Sequence, residues 1–179
     1  MVSIFLRIIT LLVILQSVVY WINLWTWVFS LYSFLILGGI VFQIVYIVGV
    51  YTVIHILWIR SSDIARQNSS EFMILHVVSI LLRMVGELLA SVLTIFGSGW
   101  AILILFAGDF SGLNPFRFLI SNSFLSAIFL IIPSLSLSFF FLIGFYFLAE
   151  AVLVQVDIAK NTRVIRRYIE QNLNPPQIP

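Results

Sequence analysis

Residues 8–59 read IITLLVILQSVVYWINLWTWVFSLYSFLILGGIVFQIVYIVGVYTVIHILWI. These 52 residues hold no Asp, Glu, Lys or Arg, and His55 is the only side chain among them that charges near neutral pH. As one helix the stretch would run about 78 Å at 1.5 Å per residue. The hydrocarbon layer of a bilayer is only about 30 Å thick. The stretch therefore predicts two crossings, and with them an integral membrane protein.

The rest of the composition points the same way. Hydrophobic residues make up 62% of the chain and charged ones 9%, where a soluble domain carries about 25% charged residues. The mean hydropathy is +1.17. A soluble fold of 179 residues has too little interior to hide so much apolar surface, so lipid must solvate it. Aromatic residues are abundant but no alternating ten-residue segments occur, which favours helices over an outer-membrane barrel. Cysteine is absent, which excludes disulfides, thiolate metal sites and a cysteine nucleophile. The small net charge of +2 comes from the tail and is read as topology, not as nucleic-acid binding. Arg7 precedes an apolar run, as in a signal peptide, but no small-residue cleavage site follows. The run continues instead into Tyr20, Trp21, Trp25 and Trp27, so it reads as a retained first span.

The positions of charge divide the chain into four helical segments. The expected fold is an all-α membrane protein, a single helical membrane domain over residues 1–179. Its four transmembrane helices are expected over residues 4–23, 29–59, 88–108 and 118–149. The third and fourth carry long cytoplasmic helical extensions, over residues 71–87 and 150–172. Aromatic residues clustered from Tyr20 to Tyr32 suggest an interfacial belt around a tight first turn; Gly38-Gly39 is the rival turn, and a first segment lying flat on the membrane is a second alternative. Ser69 or Ser70 would cap the third helix, with Glu71 in its first turn. The loop Asp109 to Pro115 holds the Asn114-Pro115 turn signal. Pro133 predicts a kink in the fourth helix, and Pro175-Pro176 ends any helix before them. With a cytoplasmic N-terminus, Arg7, Arg60, Arg66, Lys160, Arg163, Arg166 and Arg167 all fall inside and Arg117 alone falls outside, which fits the positive-inside rule and places both termini in the cytoplasm.

Three constellations carry chemistry. His76, Ser79, Arg83, Glu87, Ser91, Thr94 and Ser98 share one face of the third segment. In lipid, such a face turns toward protein or water. Arg83 and Glu87 are spaced to pair within the helix, and Glu150 should reach a similar depth, giving an intramembrane charge cluster of Arg83, Glu87 and Glu150. It serves either as a salt bridge fixing helix register or as part of an ion or proton path. One arginine with two acids leaves a carboxylate over, unless Arg60 cancels it. His55 and His76 flank the inner loop at matching depth, as a bis-histidine haem or pigment site requires; two interfacial histidines are the plainer reading. Ala151, Val154, Ile158, Asn161, Ile165 and Tyr168 follow spacings of 3, 4, 3, 4, 3, a heptad seam for packing on the third helix, on a partner helix or on a second copy. The flanking Arg163, Arg166 and Arg167 could instead contact anionic lipid.

Two catalytic motifs fail. Gly97-Ser98-Gly99 is similar to the serine motif of rhomboid-type intramembrane proteases. However, Phe96 stands where a glycine is expected, and His76 lies about 33 Å away along the same helix, far beyond hydrogen-bond reach. Ala107-Gly108-Asp109 is similar to the motif of aspartyl intramembrane proteases, but Phe106 replaces the first glycine and Asp157 falls across the membrane. Gly86 and Ala90 form a small-xxx-small step for helix packing, and Ser134 and Ser138 suit the same role.

The stretch EAVLVQVDIAKNTRVI, from Glu150 to Ile165, resembles the ending of small uncharacterised bacterial multi-span membrane proteins, through Glu150, Asn161 and Arg163. The resemblance implies a bacterial inner (plasma) membrane and assigns no activity. The expected function is a non-enzymatic accessory or scaffold subunit, without cofactor or metal, whose partners are the lipid bilayer and either further copies of the chain or another membrane protein. A small oligomeric channel or transporter is the alternative, and a haem or pigment protein the third reading.

Overall fold

A computed structural model describes residues 2–30, 36–66, 73–107 and 122–173. They form four helices: α1 (Val2–Ser30), α2 (Ile36–Arg66), α3 (Met73–Ala107) and α4 (Ser123–Leu173). Each is long and apolar enough to cross a membrane. Several polar residues inside these helices satisfy themselves locally. Thr10, Ser17 and Thr52 donate to the carbonyl four residues back, at 2.8, 2.6 and 2.8 Å, so their hydroxyls need no water in an apolar setting.

The helices pack in sequence order, α1 on α2, α2 on α3 and α3 on α4, and every neighbour runs antiparallel. Ser61 Oγ donates to the Ser3 carbonyl at 3.1 Å, Tyr46 OH to the Ser17 carbonyl at 3.0 Å, and Gly39 faces Val28. Gly49 meets Ile95 and Gly99 meets Phe42 between α2 and α3. Gly86 meets Phe145, and Thr94 Oγ1 lies 3.0 Å from Ser138 Oγ, between α3 and α4. One end of the bundle thus collects the start of α1, the end of α2, the start of α3 and the late part of α4. All eight described Lys and Arg residues lie at or beyond that end, along with the main apolar core of Leu6, Leu57, Ile64 and Met84.

The first turn differs from expectation. From Tyr20 to Ser30 the aromatic cluster is helical: Trp21 stands edge-on to Trp25 at 6.1 Å, and Trp25 stacks on Phe29 at 5.5 Å. These contacts at four-residue spacing support helix rather than break it, so α1 runs to Ser30. Gly38 and Gly39 sit buried inside α2, where a Cβ would meet Phe106 at 2.7 Å or Val28 at 2.8 Å. They are points of close helix approach, not a turn. α1 runs antiparallel alongside α2 from Ser3 to Val28. Residues 73–87, expected as a projection packed on the fourth helix, also pack on α1 and α2 through Val77, Ile80, Leu81 and Met84. α4 continues unbroken through Pro133. It starts at a cap the sequence reading missed: Asn122 Oδ1 accepts from the Phe124 and Leu125 amides at 2.9 and 3.3 Å, satisfying donors at the helix start. Ser69, Ser70, Glu71, Pro175, Pro176, Arg117 and the Asp109–Pro115 loop lie outside the described residues.

Gly86 sets how closely α3 approaches α4, because a Cβ there would lie 2.6 Å from Phe145 Cβ. Gly86→Val is expected to destabilise the bundle by about 1–3 kcal/mol, read as a lower unfolding midpoint in mild detergent. Adding Phe145→Ala should recover part of the loss; no recovery would place the clash elsewhere.

Candidate functional site: an ion network below an open groove

The antiparallel register brings Arg60 of α2, Glu87 of α3 and Tyr146 of α4 to one level. Arg60 grips Glu87 with two donors: Nε reaches Oε2 at 3.0 Å, and Nη2 contacts Oε1. The same Nη2 reaches Tyr146 OH at 3.2 Å, and Nη1 binds Asp63 Oδ2 at 3.1 Å. Tyr146 OH donates to Glu87 Oε1 at 2.5 Å. The guanidinium fork suits this task, since its planar donors match a carboxylate bidentately. The Arg60 and Glu87 side chains are only 17% and 19% exposed, so solvent screens the pair weakly.

Arg83 goes elsewhere. Its Nη2 contacts Glu150 Oε1 at 2.5 Å, and its guanidinium carbon sits 5.7 Å from the Tyr146 ring centroid. Arg83, Glu87 and Glu150 therefore belong to one network, with Tyr146 as the link between its halves. The pairing within it differs from the expected Arg83–Glu87 contact along one helix. Glu87 points to α2 and α4, and Arg83 crosses to α4. Glu150 is 59% exposed, so this second pair is the more screened of the two. With Arg60 and Asp63 included, two arginines face three carboxylates. The surplus has moved to Asp63, the acid on the outer side of Arg60.

Beyond the network a groove of about 480 Å³ opens between α2 and α4, with α3 as its floor. Glu87 closes one end, and Thr52, Ser91, Thr94 and Ser138 supply hydroxyls along it between apolar walls such as Leu135 and Phe139. Part of the polar stripe of α3 thus lines a groove. Ser98 does not use it for tertiary contact: its hydroxyl donates to the Thr94 carbonyl at 2.6 Å. Ser79 is buried, and His76 is half-buried.

The other sequence candidates are dispersed. His55 lies on the exposed face of α2, stacked on Tyr51 at 5.8 Å. It points half a turn away from the Ile64 position that enters the core. Its face is not the one α2 presents to α3, where His76 lies. Among the described residues no group of three His, Cys, Asp or Glu side chains could hold a metal ion. Ala151, Val154, Ile158, Asn161, Ile165 and Tyr168 are all exposed. The face of α4 that packs on α3 is instead marked by the buried Ala149 and Val156.

Asp63, Tyr146 and Gln43 were missed from sequence, and Arg60 entered only as a counter-charge. Tyr146 falls four residues before Glu150, a spacing that could have flagged it. Gln43 is 2% exposed, and neither its amide oxygen nor its nitrogen finds a hydrogen-bond partner among the described residues. No pattern marks it, because a single Gln in an apolar run reads only as a polar interruption. No family model matches this chain, and neither a curated protein nor a solved structure matches it.

Two outcomes test this geometry. Arg60→Met or Glu87→Met alone leaves an uncompensated charge and should cost about 3–5 kcal/mol, whereas the double substitution should cost much less. A double-mutant cycle on detergent unfolding midpoints reads the coupling; additive losses would mean the pair is not formed. Gln43→Met removes two unpaired buried polar atoms at similar volume and should raise stability by about 1–3 kcal/mol. A fall in midpoint would show that the amide is used by a group outside the chain.

Proposed function

We infer that the chain is a non-enzymatic integral membrane subunit that acts as a scaffold or accessory component of a membrane assembly. The observation that carries this reading is the pairing of the network's charges: Glu87 is held by Arg60 and Tyr146, and Arg83 faces Glu150. Charges committed to fixing three helices at one level serve register, the best-attested role of such pairs. Function is argued from a site, and the serine and aspartate motifs of the chain lack the partners catalysis requires. The clustering of described basic residues at one end of the bundle supports an orientation with both termini cytoplasmic. Residues 150–172 then form a cytoplasmic extension. The likeness of the Glu150–Ile165 stretch to bacterial membrane proteins supports a bacterial inner membrane.

The groove favours a second reading, a small channel or transporter. Glu87 at its end and four hydroxyls along it would offer a polar solute a path that lipid does not. The two readings diverge at Glu87→Leu. As a scaffold, the variant leaves Arg60 with one fewer partner, so the native assembly seen by mass in mild detergent should be lost or much reduced. Normal assembly combined with lost ion flux in liposomes would overturn the scaffold reading. A visible absorption scan of the same wild-type peak should be featureless; a Soret band abolished by His55→Ala or His76→Ala would overturn it in favour of a haem protein.

A further inference from the structure

α4 has 51 residues, about 77 Å of helix, against a hydrocarbon layer of about 30 Å. Its charges begin at Glu150, so much of the length after it lies beyond the apolar layer, where lipid tails cannot cover it. Yet Val154, Ile158, Ile165 and Tyr168 are 54%, 60%, 59% and 67% exposed. They are the seam positions of a heptad. The buried Ala149 and Val156 that pack toward α3 fall at the position facing directly away from that seam. The chain's own fold thus uses one side of α4 and leaves the opposite, apolar side uncovered.

A second observation extends the seam into the span. Counting back by heptad from Ala151 gives Phe147, which is 70% exposed, and Gly144. Gly38, Gly39, Gly49, Gly86, Gly97 and Gly99 each lie against a neighbouring helix so closely that a Cβ would crowd it. At Gly144 a Cβ would meet nothing within 4 Å. Every other described glycine is a point of close helix approach, and Gly144 alone has no helix approaching it. Small residues of this kind let transmembrane helices pack backbone to backbone.

We propose that α4 pairs in parallel with α4 of a second copy of this chain, crossing closely at Gly144 and continuing as a short coiled coil from Ala151 to Tyr168. A second copy is the occupant that four features favour. Copies inserted in one orientation present the same seam at the same depth, so parallel, in-register contact is set by the bilayer itself. Asn161 then meets its own twin, and a carboxamide carries both donor and acceptor, so the pair satisfies itself where an apolar partner would strand it. Lys160, Arg163, Arg166 and Arg167 all fall at outward heptad positions, so the contact brings no cations together. Val164 and Ile169, 65% and 50% exposed, fall at flanking positions that face one another across such a pair. The pairing deepens the scaffold reading and rests on it for its role.

The chain has no cysteine, so single cysteines report contact directly in native membranes. Ile158→Cys and Ile165→Cys should cross-link between copies on mild oxidation, at least tenfold more than Lys160→Cys and Arg163→Cys on the outward face. Gly144→Leu in the Ile158→Cys background should cut cross-linking severalfold. The new side chain has open space within its own protomer, so the unfolding midpoint of that protomer should not fall. Cross-linking absent from the seam, or equal on both faces, overturns the pairing. Separate outcomes address the two readings. A seam that does not cross-link in a chain that still co-purifies with another protein sinks the pairing and leaves the scaffold. A seam that cross-links in a chain that conducts ions through Glu87 sinks the scaffold and leaves the pairing.

Discussion

The contact on which the rest of the molecule depends is the bidentate grip of Arg60 on Glu87, completed by Tyr146. It joins α2, α3 and α4 at a single level. Helices in an apolar solvent have little to fix their height, because sliding one apolar stripe along another changes packing only gradually. A paired charge responds sharply: displacement by one helical turn, about 5.4 Å, would strand both groups. The register this contact fixes is the one in which Gly49 meets Ile95, Gly86 meets Phe145 and Thr94 meets Ser138. Electrostatics chooses the register, and small residues and hydroxyls supply the close packing.

The same contact explains the form of the groove. α2 and α4 both lean on α3 rather than on each other, and the hydrogen bond from Arg60 to Tyr146 spans between them. Beyond that bridge the two helices flank an open slot. The hydroxyls of Thr52, Ser91 and Thr94 sit where a tightly closed bundle would have placed apolar side chains. Thr94 and Thr52 nevertheless find partners in the chain, Ser138 and the Val48 carbonyl, so the slot carries polarity without unpaired hydroxyls at these two positions.

Much of this was legible in the sequence, and the misreadings have physical causes. Four helices follow from where charges are missing, since hydrocarbon excludes charge along the whole length of a span. The polar face of α3 follows from helical period alone. The first turn was misplaced because Trp and Tyr mark an interface by preference, while their stacking at Trp21, Trp25 and Phe29 is a local helical contact that composition does not reveal. Glu87 was assigned to Arg83 because spacing within one helix is visible and register between helices is not. Arg60 and Glu87 stand 27 residues apart, and only the packed bundle makes them neighbours. Gln43 and the Asn122 cap belong to the same class, local in effect but decided by tertiary surroundings or by a helix boundary that periodicity leaves blurred.

α4 shows how one helix can serve two interfaces. Its period gives it two apolar faces, one carrying Ala149 and Val156 and the other Ala151, Val154 and Ile158. A soluble amphipathic helix normally has one such face and a charged back. Here the charges avoid the seam itself: Glu150 and Asp157 flank it, and Lys160, Arg163, Arg166 and Arg167 lie away from it, with Arg166 and Glu170 already paired along the helix at 2.8 Å. A second apolar face exposed to water costs free energy at every residue, about 25 cal/mol for each Å² left uncovered. Its persistence from Ile158 to Tyr168, past the buried Val156, is what a helix needs if its outer face is covered only after the chain has been inserted. The intramolecular face is completed by the fold itself, at the level fixed by Arg60 and Glu87. In the pairing proposed above, the outer face is completed by the same helix of a second copy, at the same depth and in the same orientation.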